Sequence, residues 1–129
     1  MMKKSRPVVI CLLLLVLIMI ITGTVLAAEF ECKGEKIEKN SSFWGYAKKT
    51  SSSEYRIEKG SSSIAFVKKQ GSKWRIEDTA KTTLGWLNGS TIEKPNGYSW
   101  TKLSTAKALC NGPDEIAAAI WVLKQYNKL

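Results

Sequence analysis

Between residues 54 and 77 the chain repeatedly alternates apolar and polar side chains. Tyr55 and Ile57 interleave with Arg56 and Glu58, Ile64 and Phe66 with Ala65 and Val67, and Trp74 and Ile76 with Arg75 and Glu77. A period of two puts successive side chains on opposite faces of an extended backbone, and the short glycine-bearing connections at 60–63 and 70–73 require neighbouring antiparallel strands. This is a meander. It continues through 83–87, 91–93 and 98–103, punctuated by Asn88-Gly89 and Pro95-Asn96-Gly97, which are turn sequences. Upstream, 30–38 reads as a first strand carrying Cys32, and 40–53 as a short strand or ordered loop around Phe43, Trp44 and Tyr46. No internal repeat is evident.

After Asn111-Gly112-Pro113 the pattern changes. Asp114 and Glu115 place acidic charge in a first turn, and 116–126 (IAAAIWVLKQY) is rich in helix formers. Ile116, Ala119, Ile120 and Leu123 share one face and Ala117 and Trp121 another, so the apolar stripe is broad. A curved sheet needs an apolar body on its inner face, and this helix supplies one. The expected fold is α+β: a highly curved antiparallel sheet or small open β-barrel, built as a meander, with one C-terminal helix packed on it and one disulfide closing it.

Residues 1–28 combine a basic start (Lys3, Lys4, Arg6), an apolar run over 8–21 and a small-residue exit ending in Ala27-Ala28. That is the form of a signal peptide, cleaved after Ala27 or Ala28 to leave one domain at 29–129. The competing reading is an uncleaved membrane anchor, since 8–28 carries no charge. Both send the domain across the membrane, to a bacterial periplasm or the exterior. Cys11 lies inside the apolar run and goes with the signal. Cys32 and Cys110 remain, and an even pair in an exported domain reads as a disulfide, worth roughly 4 to 5 kcal/mol for a loop of about 79 residues. Without Lys3, Lys4 and Arg6 the chain keeps 17 basic and 11 acidic residues, a net charge of +6 against +9 for the whole. The cations are scattered, which argues against a nucleic-acid surface.

There is no histidine, which removes the commonest general base and metal ligand together with every Ser-His or Cys-His arrangement. Phosphate-cradling loops and nucleophile elbows are absent too, and neither a metal nor a cofactor is expected. Glu58 and Glu77 alternate with apolar neighbours and are expected to face water. The aromatic side chains offer more. Trp74 and Trp121 read as core, whereas Trp44 with Tyr46, and Trp86 with Tyr98 and Trp100, lie beside Gly, Asn and Ser as partner-facing residues do. Lys48, Lys49, Lys94 and Lys102 would form a basic rim to that surface. Asn40-Ser41-Ser42 and Asn88-Gly89-Ser90 match glycosylation acceptors but read as turns.

The opening Phe30-Glu31-Cys32-Lys33-Gly34, the late Leu109-Cys110-Asn111 and the β-rich body between them resemble in layout the periplasmic inhibitors of C-type lysozyme. The resemblance implies an inhibitory module of the envelope. It assigns no site residue, because that family's serine-glycine loop followed by tyrosine has no match and its pattern lacks a terminal helix. The expected function is an exported, non-enzymatic binding module, of inhibitor or immunity type, acting on another envelope protein or an anionic polymer. Two other classes stand beside it: a small histidine-independent hydrolase or toxin using carboxylates, and a structural accessory subunit of an envelope assembly.

Overall fold

Tight turns fold the chain back on itself again and again. Asn40 and Ser41 take φ of 50° and 68°, and Gly60 takes 60°, the left-handed conformation that two-residue hairpin turns use. In the computed structural model, which describes residues 27–129, the result is a single ten-stranded sheet. Its strands are β1 (Phe30–Lys33), β2 (Lys36–Lys39), β3 (Ser42–Ser51), β4 (Glu54–Lys59), β5 (Ser62–Gln70), β6 (Lys73–Asp78), β7 (Thr83–Asn88), β8 (Thr91–Glu93), β9 (Ser99–Lys102) and β10 (Cys110–Asn111). Strands β1 to β9 lie in sequence order and antiparallel, and β10 adds to the free edge of β1 in parallel. Within this described region, no helix is long and apolar enough to cross a membrane. The export reading of 1–26, Cys11 included, lies outside the described residues.

Two helices complete the domain. Helix α1 (Leu103–Leu109) joins the edge strands β9 and β10, and helix α2 (Asp114–Gln125) follows β10. Seven helical residues span only about 10 Å, so the sheet must curl until its two edges approach each other. The sheet stays open, and α1 bridges the gap. Helix α2 lies on the concave side: a Cβ added at Gly85 would stand 3.3 Å from Val122. Ile116, Ala117, Ala118, Ala119, Ile120, Val122 and Leu123 are all buried, against Ile37, Ile57, Val67, Ile76, Leu87 and Ile92 from the sheet. The broad apolar stripe read from the sequence is thus covered on nearly every side.

The curl has a local cause, and it exposes a repeat. Register shifts fall at Ile37/Glu38, Ile57/Glu58, Ile76/Glu77 and Ile92/Glu93, the same dipeptide in β2, β4, β6 and β8. Opposite each one the partner strand carries an extra, unpaired residue: Trp44, Ile64, Leu84 and Trp100 in turn. A bulge of this kind bends and twists its strand, and four of them at equivalent places bend the whole sheet around α2. After each extra residue comes a small or short one, Gly45, Ala65, Gly85 or Thr101, and after it in the first three hairpins an aromatic residue, Tyr46, Phe66 or Trp86. The domain is therefore four successive hairpins of one design. The repeat is hidden in the sequence because the spacing between the Ile-Glu pairs shortens along the chain.

Several expectations change. The single strand expected at 30–38 is the β1–β2 hairpin, turning at Gly34, and the uncertain segment 40–53 is the ten-residue strand β3. Helix α1 was not expected. The Cys32 to Cys110 disulfide is not formed: the two cysteines approach to 4.1 Å, about twice the length of an S–S bond, and both are free thiols. The reason lies in the register. Cys110 pairs with Phe30 on β1, so Cys32 stands two residues along as a diagonal neighbour.

The two thiols differ in reactivity. Cys32 has its pKa lowered, chiefly by the Cys110 thiol that can donate to its thiolate and also by the Lys107 charge, while burial opposes the shift. Cys110 is fully buried and its pKa is driven far up by the same neighbour and by desolvation. Iodoacetamide applied to the folded protein at neutral pH is expected to alkylate Cys32 at least tenfold faster than Cys110, as read by peptide mass mapping. Equal rates would mean that the β1–β10 pairing opens freely.

Candidate functional site

On the sheet face turned away from α2, the hairpin repeat lines up chemistry. Alternation sends Ile57 and Ile76 inward and their neighbours Arg56, Glu58, Arg75 and Glu77 outward. Cross-strand pairing then brings an aromatic residue between a cation and a glutamate three times over: Lys36, Tyr46, Glu58; Arg56, Phe66, Glu77; and Arg75, Trp86, Glu93. The aromatic residues stand on β3, β5 and β7, two strand spacings apart and stepped two residues along, so their Cα atoms lie about 12 Å apart along the sheet in an oblique row. At the start of the row Phe43 packs against Tyr46, with ring centroids 5.2 Å apart.

The glutamates are buried by their neighbours. Glu58 is 5% and Glu77 1% exposed, contrary to the expectation that both face water. The alternation assigned their face correctly; the long side chains of adjacent strands cover them. Glu58 takes Arg56 Nε at 2.8 Å and Lys48 Nζ at 3.3 Å, and Glu77 takes Lys68 at 2.6 Å and Arg75 at 3.1 Å. Glu93 accepts from Lys73 at 3.0 Å and from Asn88 at 3.0 Å. Lysines lie over the rings: Lys48 is 4.8 Å from the centroid of Tyr46, Lys68 5.5 Å from Phe66 and Lys73 5.9 Å from Trp86. One lysine in each case serves both a ring and a carboxylate.

Burial pushes the Glu58 carboxyl up, but Arg56 and Lys48 together outweigh it and hold its pKa below the usual carboxylate value. Hydrogen bonds from Asn88 and Lys73 lower that of Glu93 against a smaller effect of burial. Carboxylates held ionised in this way are poor proton donors near neutrality. A group whose folded pKa is depressed contributes stability in full above its unfolded pKa, about 4.3, and loses it as pH falls through the lower folded value. The melting temperature is therefore expected to stay level from about pH 7 to 5 and to fall below about pH 4.3, and the double variant Glu58→Gln, Glu93→Gln should flatten that acid limb in a circular-dichroism melt. An unchanged acid limb would show that other carboxyls set it.

The sequence-selected residues divide between the two faces. Tyr46, Lys48 and Trp86 stand on the outer row, where Trp86 Nε1 also donates to the Pro95 carbonyl at 3.4 Å. Trp44 does not: it is 8% exposed, on the inner side, edge-on to Phe30 with centroids 5.4 Å apart. As the extra residue of its bulge it is swung inward, which corrects its reading as a surface aromatic. Trp100, the equivalent residue of the last hairpin, is half-buried against Trp121 at 5.2 Å and Tyr126 at 6.1 Å. Tyr98 is 73% exposed in the β8–β9 turn near exposed Lys94, Lys102 ends β9, and Lys49 lies over Tyr55 away from the row. Of the two aromatics read as core, Trp74 and Trp121 are half-buried at its margin. Sequence reasoning missed Phe66, Arg56, Lys68, Arg75 and Glu93 as site residues and took Glu58 and Glu77 only as solvated ones; the recurring Ile-Glu pair was the signal that locates them.

Elsewhere, a cleft of about 230 Å³ at the end of α2 is lined by Glu29, Phe30, Lys39, Lys124, Asn127 and Leu129. Glu29 in its wall pairs with Lys124 at 3.9 Å. Among the described residues no three His, Cys, Asp or Glu side chains gather as metal ligands. No protein-family model matches the chain, and no curated protein or solved structure matches it significantly.

Proposed function

We propose that this chain is an exported, non-enzymatic binding module of the cell envelope that engages its partner across the outer sheet face. The observation that carries the reading is the threefold cation, aromatic, glutamate row, in which the half-buried rings Tyr46, Phe66 and Trp86 recur at equivalent outward positions, each with a lysine over it. A sheet needs apolar residues inside; it needs no aromatic ring at the same outward position of three successive hairpins. Aromatic side chains set among ordered charged pairs are the composition of recognition surfaces, where the rings supply contact area and the pairs fix orientation. The export segment at 1–28 supplies the compartment.

The test uses the full chain expressed in a bacterial host. The recovered protein is expected outside the cytoplasm with a mass that begins at residue 28 or 29; an intact chain retained in the cytoplasm would overturn the export reading. The purified domain is expected to sediment with washed envelope fragments, and the triple variant Tyr46→Ser, Phe66→Ser, Trp86→Ser to lose at least tenfold of that binding while keeping its circular-dichroism spectrum. Equal sedimentation of the variant, or none by the parent protein, would refute the outer face as the binding surface.

A further inference from the structure

Two cysteines bonded to each other offer a metal nothing, but two free thiols facing one another are a pair of ligands. Independently of the outer sheet face, we propose that Cys32 and Cys110 bind one soft monovalent cation of the copper(I) class, held between their sulfur atoms as a two-coordinate bis-thiolate.

The separation carries the assignment. At 4.1 Å the pair is too far apart for an S–S bond, but a metal–thiolate bond is about 2.3 Å, so two of them to one ion reach across when they meet at roughly 125°. One ion thus fits between the sulfurs with little movement of either strand. The backbone keeps them there. Cys32 is paired with Ile37 of β2, while Cys110 is paired with Phe30 of β1 and donates its N–H to the Ala106 carbonyl in the last turn of α1. Ligands fixed on paired strands need little reorganisation to bind.

The surroundings select the ion. Zinc closes a tetrahedron of ligands and calcium or magnesium collects several oxygens, whereas among the described residues no third His, Cys, Asp or Glu side chain joins the two thiols. Thiolates favour soft ions such as copper(I), which are satisfied by two of them. Cys110 is fully buried and Cys32 is half-buried against the core, so water that a harder cation would keep is excluded, while Cys32 leaves a way in. Gly112 leaves the space beside the sulfurs free: a Cβ there would stand 2.6 Å from the Cys32 sulfur and 4.0 Å from that of Cys110.

Charge is compensated as well. Binding removes the proton of each thiol to solvent and leaves a complex with one net negative charge. The Lys107 ammonium acts on both sulfurs and is held beside them by Asp114 at 3.1 Å and by the Gly112 carbonyl.

The experiment is an anaerobic titration of the reduced, exported protein with copper(I) in competition with the chelator bicinchoninate. The protein is expected to withdraw one equivalent, and X-ray absorption at the copper edge to show two sulfur neighbours within about 2.3 Å and no nitrogen or oxygen neighbour. Zinc(II) at the same concentration should stay with a competing chelator. Cys32→Ser and Cys110→Ser should each weaken copper(I) binding at least a hundredfold. Because Cys32 is only half-buried, Cys32→Ser should also melt within a few degrees of the metal-free parent, which separates a lost ligand from a lost fold. Failure to withdraw copper(I), binding that survives in Cys32→Ser, a third ligand at the metal or a preference for zinc(II) would each overturn the proposal. So would a Cys32 to Cys110 disulfide in protein recovered from the envelope with its thiols blocked at lysis.

Discussion

Trp44→Ala is expected to lower the unfolding free energy by about 3 to 5 kcal/mol, the range found when a buried large aromatic is truncated. The indole is 8% exposed, packs edge-on against Phe30 and belongs to the same core as Ile37 and Ala47. A domain of this size has roughly 5 to 15 kcal/mol in all, so the variant should melt on the order of 20 °C lower. Two comparisons make the result specific. Trp100→Ala, at the equivalent bulge but half-exposed, should cost only about 1 to 2 kcal/mol through lost contact with Trp121 and Tyr126. Trp44→Phe should cost less than Trp44→Ala, because it keeps most of the ring and removes an indole N–H that has no acceptor in the buried site. Urea titrations with unchanged slope would read all three. A loss below about 1 kcal/mol for Trp44→Ala would return this residue to the surface.

Gly45→Ala should be at least as damaging, for a different reason. A Cβ at this position would stand 1.8 Å from the carbonyl oxygen of Glu58, 2.8 Å from its carbon and 3.0 Å from Cα of Lys59. All three are backbone atoms, so no side chain can rotate out of the way and β3 must move off β4. The same contact region includes the hydrogen bond from the Gly60 N–H to the Trp44 carbonyl at 2.8 Å, which would have to break. About 3 to 5 kcal/mol is expected, enough to leave a large unfolded fraction near 37 °C. Gly34→Ala provides the control: its φ of 65° disfavours a side chain, but nothing lies within 4 Å, and a cost of about 1 kcal/mol follows. If both alanine variants melted within a few degrees of each other, the tight crossing at the first bulge would not be what shapes the sheet.

These two neighbours show where reading the chain reached and where it stopped. Alternation through Tyr55, Ile57, Trp74 and Ile76 specified strands, and the glycine-bearing turns specified that they be neighbours. At Trp44 the same rule fails. One inserted residue reverses the alternation beyond it, so a tryptophan next to glycine and serine, which looks exposed on an ordered loop, turns into the core. Glu58 and Glu77 show the complementary case. Their face was legible from period two, but their burial depends on Lys48, Lys68, Arg56 and Arg75 meeting over them, and Lys48 and Lys68 come from neighbouring strands whose register the chain alone does not announce. The candidate surface was half visible for that reason: Tyr46, Lys48 and Trp86 stood out as aromatic or basic residues, whereas Phe66 looked like any alternating apolar residue until the hairpins were laid side by side.

Local order along the chain was enough for the meander, the C-terminal helix, the apolar stripe that buries it and the charge balance, because each of these depends on residues within a few positions of one another. The bulge at every Ile-Glu pair, the closeness of Cys32 to Cys110 without a bond, the helix that spans the two sheet edges and the row of rings between paired charges all depend on which strand lies beside which and in what register. Register is a property of distant segments brought together by burial, and a shift of one residue exchanges the two faces of a strand.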